Sequence, residues 1–289
     1  MADLDLWMIG HTTDDIRSLY YPNAFIEGLK KLFGNKDLKV QWLDNKSERL
    51  NKKEYSIMTT GEITAVYSKG AIALSDNDEK VFDAGIEWNR VRGREKEDFI
   101  SSQGYSQNKI LLKINSFMVK DDKFNERYII FCSAMAKLFN VNYLYSYHYL
   151  HSNAMFCTKF GLLTGLKDIY WINIFGIPYI KIIGSHKLLT CPAFSVRQID
   201  ENHIIVQTTK NFIDPNSPSM EAVRNHIKNH LGLEFFVKNN ILKQEKEGGI
   251  INIFQFMRFL YKSKKEFEDT SNDAIIHPTF DWSNIFFDD

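Results

Sequence analysis

Cysteine, uncompensated charge, long apolar runs and patterned glycine are all scarce in this sequence, and each scarcity removes a class of function. The cysteines number three, Cys132, Cys157 and Cys191, an odd count without CxxC spacing that supplies neither a disulfide framework nor a zinc ribbon. Cys132 and Cys191 sit among apolar or small neighbours, as buried thiols do, so a reducing compartment, the cytoplasm, is expected. Lys+Arg and Asp+Glu both number 36, and the broad basic excess that phosphate neutralisation needs is missing; no nucleic-acid partner is expected. No apolar run approaches the roughly 20 residues that span a bilayer. The opening MADLDLWMIGHTT carries acids where a secretory leader carries bases, so no membrane association is expected either. Gly161-Leu-Leu-Thr-Gly165 lacks the GxGxxG spacing and the GK[ST] ending that bring backbone amides or a lysine onto phosphates, and no cofactor is expected.

What is present is a chain of 289 residues, 44% hydrophobic, long enough for one large domain or two modest ones. Its 22 Phe and 13 Tyr are dispersed through periodic segments and read first as core, with a subset suited to an aromatic contact surface. Leu4 to Ile9 alternates as a strand, and His11-Thr-Thr-Asp-Asp reads as a turn with capping residues. Ile16 to Phe33 follows helical spacing, with Pro22 as a start or kink and Gly34-Asn35 as the stop. Strands are expected at Leu38 to Leu43, on both sides of Ser68-Lys69-Gly70, and at Val81 to Val91. The charged stretch Arg92 to Gln107 interrupts the periodicity, which divides the chain into an N-terminal half, 1–104, and a C-terminal half, 105–289.

The second half gives a strand at Ile110 to Met118, a helix at Lys123 to Phe139 and a strand at Val141 to Tyr149. Tyr170 to Ile183 is apolar and helix-like apart from Gly176 and Pro178. Ala193 to Ile199 and His203 to Thr208 form a hairpin about Asp200-Glu201-Asn202. Ser217 or Ser219 caps a helix that ends at Leu231-Gly232, and Ile250 to Lys264 reads as a last amphipathic helix. The expected class is α+β, with mixed or antiparallel sheets and packed helices, and the recurring order allows two similar halves.

Few groups invite chemistry. His226 and His230 lie four apart on one helix, the spacing zinc sites use, but neither a third ligand nor the Glu of HExxH is in that helix. Met220, Val223, Ile227 and Leu231 already form its buried stripe, which leaves the histidines at the solvent boundary. His148 and His151, with Cys157 nearby, offer acid–base or thiol chemistry, though with no nucleophile elbow or matched third group they read as polar residues at a strand end. A metal-binding or hydrolytic enzyme built on His148/His151 or His226/His230 is the alternative to a binding protein. Asp214, Glu221, Asp14-Asp15 and Asp121-Asp122 fall where helices begin, and negative charge is favoured there. From Glu266 onward the tail has no Lys or Arg and gathers Asp273, Asp281 and Asp288 beside Trp282, Phe286 and Phe287. Those six are the candidate partner-binding residues. The tail's aromatics either dock on the body or enter a partner, and docking covers what would otherwise be an aggregation hazard.

The run from Tyr170 through Trp171, Phe175-Gly176 and Gly184, followed by LLTCPAFSVRQIDENHIIVQTTKNFIDPN, resembles the later part of immunity proteins of bacterial polymorphic-toxin and type VI secretion systems. In that family a Trp-led helix of the form WL-x-x-LG precedes a Gly and a β-hairpin. The likeness covers Tyr170 to Phe236, about a quarter of the chain, and rests on apolar and glycine positions. It implies a protein that binds one cognate toxin and blocks it by contact, without catalysis of its own. The matched positions are structural and nominate no toxin-binding residue. A second copy of the chain, with the tail exchanged between subunits, is the other partner the sequence allows.

Overall fold

In the computed structural model the described residues are 5–12, 14, 16, 18–34, 41–44, 51–54, 71–75, 81–87, 108–148, 166–236, 280 and 282. Its organising strand is β1 (Leu6–Thr12), whose alternation sends Leu6 and Met8 to one face of a sheet and Ile9 to the other. β1 pairs antiparallel with β6 (Asn108–Ile114) on one side and β7 (Tyr143–His148) on the other. Beyond β6 lie β5 (Phe82–Glu87), β4 (Ala71–Ser75), β2 (Gln41–Asp44) and β3 (Asn51–Glu54). Beyond β7 lie β8 (Ile172–Phe175), β10 (Ile204–Gln207) and β9 (Ser195–Gln198). The described strands thus make one ten-stranded sheet, ordered β3-β2-β4-β5-β6-β1-β7-β8-β10-β9, with every neighbouring pair antiparallel. With its helices this is the expected α+β class. β6, the first strand after residue 104, is inserted between β5 and β1, and the two sequence halves share one sheet.

One face is covered by α1 (Tyr20–Phe33) and α2 (Asp122–Leu138), which pack Phe25, Leu29, Phe131 and Met135 onto Leu112, Leu144 and Ile174. Pro22 occupies the first turn of α1, where its missing N–H costs nothing. Gly34, at φ 61, closes the helix by donating its N–H to Lys30 and Lys31 carbonyls. Asp121 caps α2 by accepting from the Lys123 N–H at 3.1 Å. The other face, over β7 to β10, is covered by α3 (Ile177–Ile183), α4 (Ser185–Leu189) and α5 (Pro218–Leu231), which bury Tyr179, Ile183, Leu188, Ile227 and Leu231 against Tyr143, Tyr145 and Phe175. Of the two capping candidates it is Ser217 that caps α5, its hydroxyl accepting from the Met220 N–H at 3.3 Å.

Three expectations need correction. The turn at His11 is strand: β1 runs through Thr12, with His11 paired to both Lys109 and Tyr143. The run from Tyr170 is not one helix, because Ile172–Phe175 is β8 and only Ile177–Ile183 is α3. All four β8 residues are buried, and a short apolar run buried on both faces carries no period to separate strand from helix. Gly176 makes the break: a Cβ there would overlap the Val141 carbonyl oxygen and lie 3.0 Å from the Asn142 Cα. Finally, the strand expected to reach Met118 stops at Ile114 and a 3₁₀ turn, Ser116–Lys120, follows. The expected strand before Ser68, the loop at 92–107 and the helix at 250–264 lie outside the described residues.

Candidate binding surface

The three central strands bring distant residues to one end of the sheet. Leu6 faces Ile114 on one side and His148 on the other, so Asp5, just before β1, meets both the exit of β6 and the end of β7. Its carboxylate accepts from the Ser116 N–H at 2.6 Å and from the Ser116 hydroxyl at 2.8 Å, and lies 3.2 Å from His148 Nε2. The order is Ser–Asp–His, with the carboxylate in the middle. The serine proton is therefore held by Asp5 rather than handed to the imidazole, and Ser116 is not activated as a nucleophile. The cluster acts as a clasp on the strand ends.

That clasp presents apolar surface. Asn115 caps the 3₁₀ turn by accepting from the Phe117 N–H at 2.9 Å, and Phe117 is 70% exposed. The Lys120 ammonium sits 4.0 Å from the centre of the Phe117 ring. On the far side of the clasp, His148 stacks on Phe212 with centroids 5.7 Å apart, and Phe212 meets Trp171 edge-on at 5.4 Å. Ile213, the next residue, is 41% exposed. Asn125 ties this loop to α2 by donating to the Lys210 carbonyl at 3.4 Å. The result is an exposed aromatic, Phe117, on a capped turn with Lys120 against its ring, and an exposed aliphatic, Ile213, next in sequence to the Phe212 that stacks on His148. Such a surface can anchor a protein partner, because rigid aromatics lose little entropy on burial.

The sequence nominated other residues, and the structure places them as follows. His148 is in the clasp; His151 and Cys157 lie outside the described residues. His226 is exposed, while His230 Nε2 lies 2.9 Å from the Lys187 carbonyl and 3.4 Å from the Thr190 hydroxyl, joining α5 to α4. Among the described residues no group of three His, Cys, Asp or Glu could hold a metal ion. Trp282 is 8% exposed, stacked on Phe131 at 6.5 Å and met edge-on by Phe280 at 4.9 Å. A partner reaches that ring only by displacing it from the body. Asp273, Asp281, Phe286, Phe287 and Asp288 lie outside the described residues. Phe117, Asp5, Ser116 and Phe212 were not singled out by the sequence. The one signal was Asn115-Ser116, a capping pair inside what otherwise read as strand.

Buried polar groups elsewhere are structural. His11 is buried and stacked on Tyr145 at 6.2 Å, and neither ring nitrogen has a hydrogen-bond partner. Burial, with Lys109 nearby, pushes its pKa down to about 4, so the ring is neutral. Burial raises the Cys132 thiol well above its ordinary value and the Cys191 thiol to about 12, which makes both inert. Asp168 is buried between Lys228 and Arg224, the latter with Nε at 3.6 Å, and accepts from the Ile169 N–H at 2.8 Å.

Neither a family profile nor a curated protein matches this sequence. Among solved structures, one titled "Pseudomonas aeruginosa T6SS protein PA0821" superposes with a TM-score of 0.50 at 8% identity, over 96% of this chain and 89% of that chain. Identity that low is a likeness of fold. No described helix is long and apolar enough to cross a membrane.

Proposed function

We propose that this protein is an immunity protein: it binds one cognate bacterial toxin in the cytoplasm and neutralises it by protein–protein contact, with no catalysis of its own. The observation that carries the reading is the exposed Phe117 with Lys120 against its ring, next in sequence to the Ser116 that Asp5 ties to His148, whose own ring stacks on Phe212. A fold shared along nearly the whole chain with a protein titled as belonging to a type VI secretion system supports the setting. The resemblance of Tyr170 to Phe236 to such immunity proteins adds support through Gly184 and the β9–β10 hairpin, while Trp171 here leads the strand β8 and not a helix.

The test is co-expression with the product of the adjacent gene. That product should arrest growth alone and be harmless with this protein, and the two should co-purify. Phe117→Ala should leave the thermal melt within about 0.5 kcal/mol of wild type, because an exposed ring contributes little to folding. It should weaken toxin binding by about 2 kcal/mol, roughly thirtyfold, as loss of an anchoring aromatic does. If the neighbouring product is harmless and nothing binds, the reading is wrong; if binding survives Phe117→Ala unchanged, the surface is wrong.

A further inference from the structure

A sheet edge keeps backbone hydrogen-bonding groups available to another chain. Among the described strands the sheet ends at β3 on one side and β9 on the other. The two ends differ. β3 reads Asn-Lys-Lys-Glu, three charged residues in four, a composition that discourages strand addition. β9 reads Ser-Val-Arg-Gln, with one charge, no proline and a β-branched residue near its centre. Phe194, immediately before it, is 56% exposed, and Arg197 and Gln198 are exposed as well. β10 holds β9 from the inner side, setting Val196 opposite Val206 and Arg197 opposite Ile205.

We propose that β9 is a self-association edge: two copies of this chain join β9 to β9 antiparallel, with Val196 facing Val196 of the second copy across a two-fold axis. The register follows from symmetry. Identical antiparallel neighbours are related by an axis normal to the sheet, so facing residues lie on the same side of it and one residue must face itself. Two centres keep most of β9 paired. Arg197 on the axis sets two guanidinium groups directly opposite, a destabilising like-charge pair. Val196 on the axis pairs two β-branched side chains, sets Ser195 opposite Arg197 of the second copy and lays Phe194 beside its Gln198. That self-complementarity is the reason to commit to a second copy rather than a foreign strand. Because so short a strand buries far less than the roughly 800 Å² per partner of a standard interface, the dimer is weak, with a Kd on the order of 100 µM.

Sedimentation velocity from roughly 10 µM to roughly 1 mM should show the weight-average mass rising from near the monomer to most of the way to the dimer, about 1.6-fold. Val196→Cys should form a disulfide-linked dimer under mild oxidant, since facing Cα atoms come within about 5.5 Å. Arg197→Cys should not, because in this register its Cα atoms stand farther apart than the roughly 7 Å a disulfide can bridge. The wild type, carrying its own cysteines, should stay unlinked in the same oxidant. Ser195→Glu, facing Arg197 of the second copy twice, should tighten association several-fold and needs no change at half-buried Val196. A monomer at roughly 1 mM overturns the proposal, as do cross-linking by Arg197→Cys in place of Val196→Cys and association unchanged or weakened by Ser195→Glu. None of these outcomes depends on the toxin reading.

Discussion

Gly28 lies inside α1 at the point where the Trp282 ring rests, and substituting it gives a stability change whose sign depends on the tail. In a helix interior, Gly→Ala ordinarily stabilises by about 0.5–1 kcal/mol, because alanine surrenders less backbone entropy. Here the new Cβ would lie 2.6 Å from Trp282 Cζ2 and 3.1 Å from Phe131 Cε2, and would overlap Trp282 Cη2. The indole cannot simply turn away, being held between Phe131 and Phe280. Expelling a buried Trp forfeits about 3–5 kcal/mol, and overpacking it costs about 1–3 kcal/mol. Gly28→Ala should therefore destabilise by roughly 2 kcal/mol despite its better propensity. In a Trp282→Ala background the obstacle is gone, and the same substitution should stabilise by about 0.5–1 kcal/mol. Urea unfolding of the four proteins measures this coupling as a double-mutant cycle, with the midpoint moving in opposite directions in the two backgrounds. If Gly28→Ala stabilises the wild type, Trp282 is not seated on α1 in solution and the reasoning fails.

Three further outcomes follow from the same geometry. His11 has its folded pKa depressed to about 4 against an unfolded value near 6.5. The unfolded chain therefore binds the extra proton first; stability from this group is intact above about pH 6.5 and falls by about 3 kcal/mol on acidification to about pH 4. His11→Leu should flatten that part of a stability–pH curve, and a curve unchanged from wild type would place the ring in contact with water. Asp168→Asn removes the charge that Lys228 and Arg224 share while leaving both cations largely buried. It should cost roughly 3 kcal/mol in urea unfolding, and a loss under about 1 kcal/mol would mean those cations reach solvent. Ser217→Ala removes the α5 cap and should cost about 1 kcal/mol, with Ser217→Thr restoring most of it.

Much of the fold was legible because its elements announce their ends. Gly34 and Gly232 stop α1 and α5 with positive φ, Asp121 and Ser217 start α2 and α5, and Asp200-Glu201-Asn202 turns the β9–β10 hairpin. The failures came where burial erases period. β8 is buried on both faces, with Asn173 as its one polar member, because helices lie above and below it, and so shows no strand alternation. His11 reads as a turn residue because imidazole and Thr-Thr-Asp-Asp are polar, whereas the strand carries the ring into an aromatic layer and accepts the cost of an unbonded imidazole. The sheet order, with β6 between β5 and β1, depends on pairing between residues about a hundred positions apart, and no local pattern encodes it.

The candidate binding surface was illegible for a different reason. Catalysis needs particular residue types at particular spacings, so a chain can be searched for it; recognition needs only ordinary residues held still at the surface. Phe117 is one of 22 phenylalanines, and what distinguishes it is that a strand stops three residues earlier, that Asn115 caps the turn and that Asp5, more than a hundred residues away, fixes Ser116. Trp282, one of the tail aromatics expected either to dock on the body or to enter a partner, docks: α1 at Gly28 uses it as core. An aromatic that closes the protein's own groove contributes to folding, and an aromatic held rigid with its face open is available to a partner. Gly28→Ala and Phe117→Ala separate these two roles, since the first should lower stability and the second should leave stability in place and lower affinity.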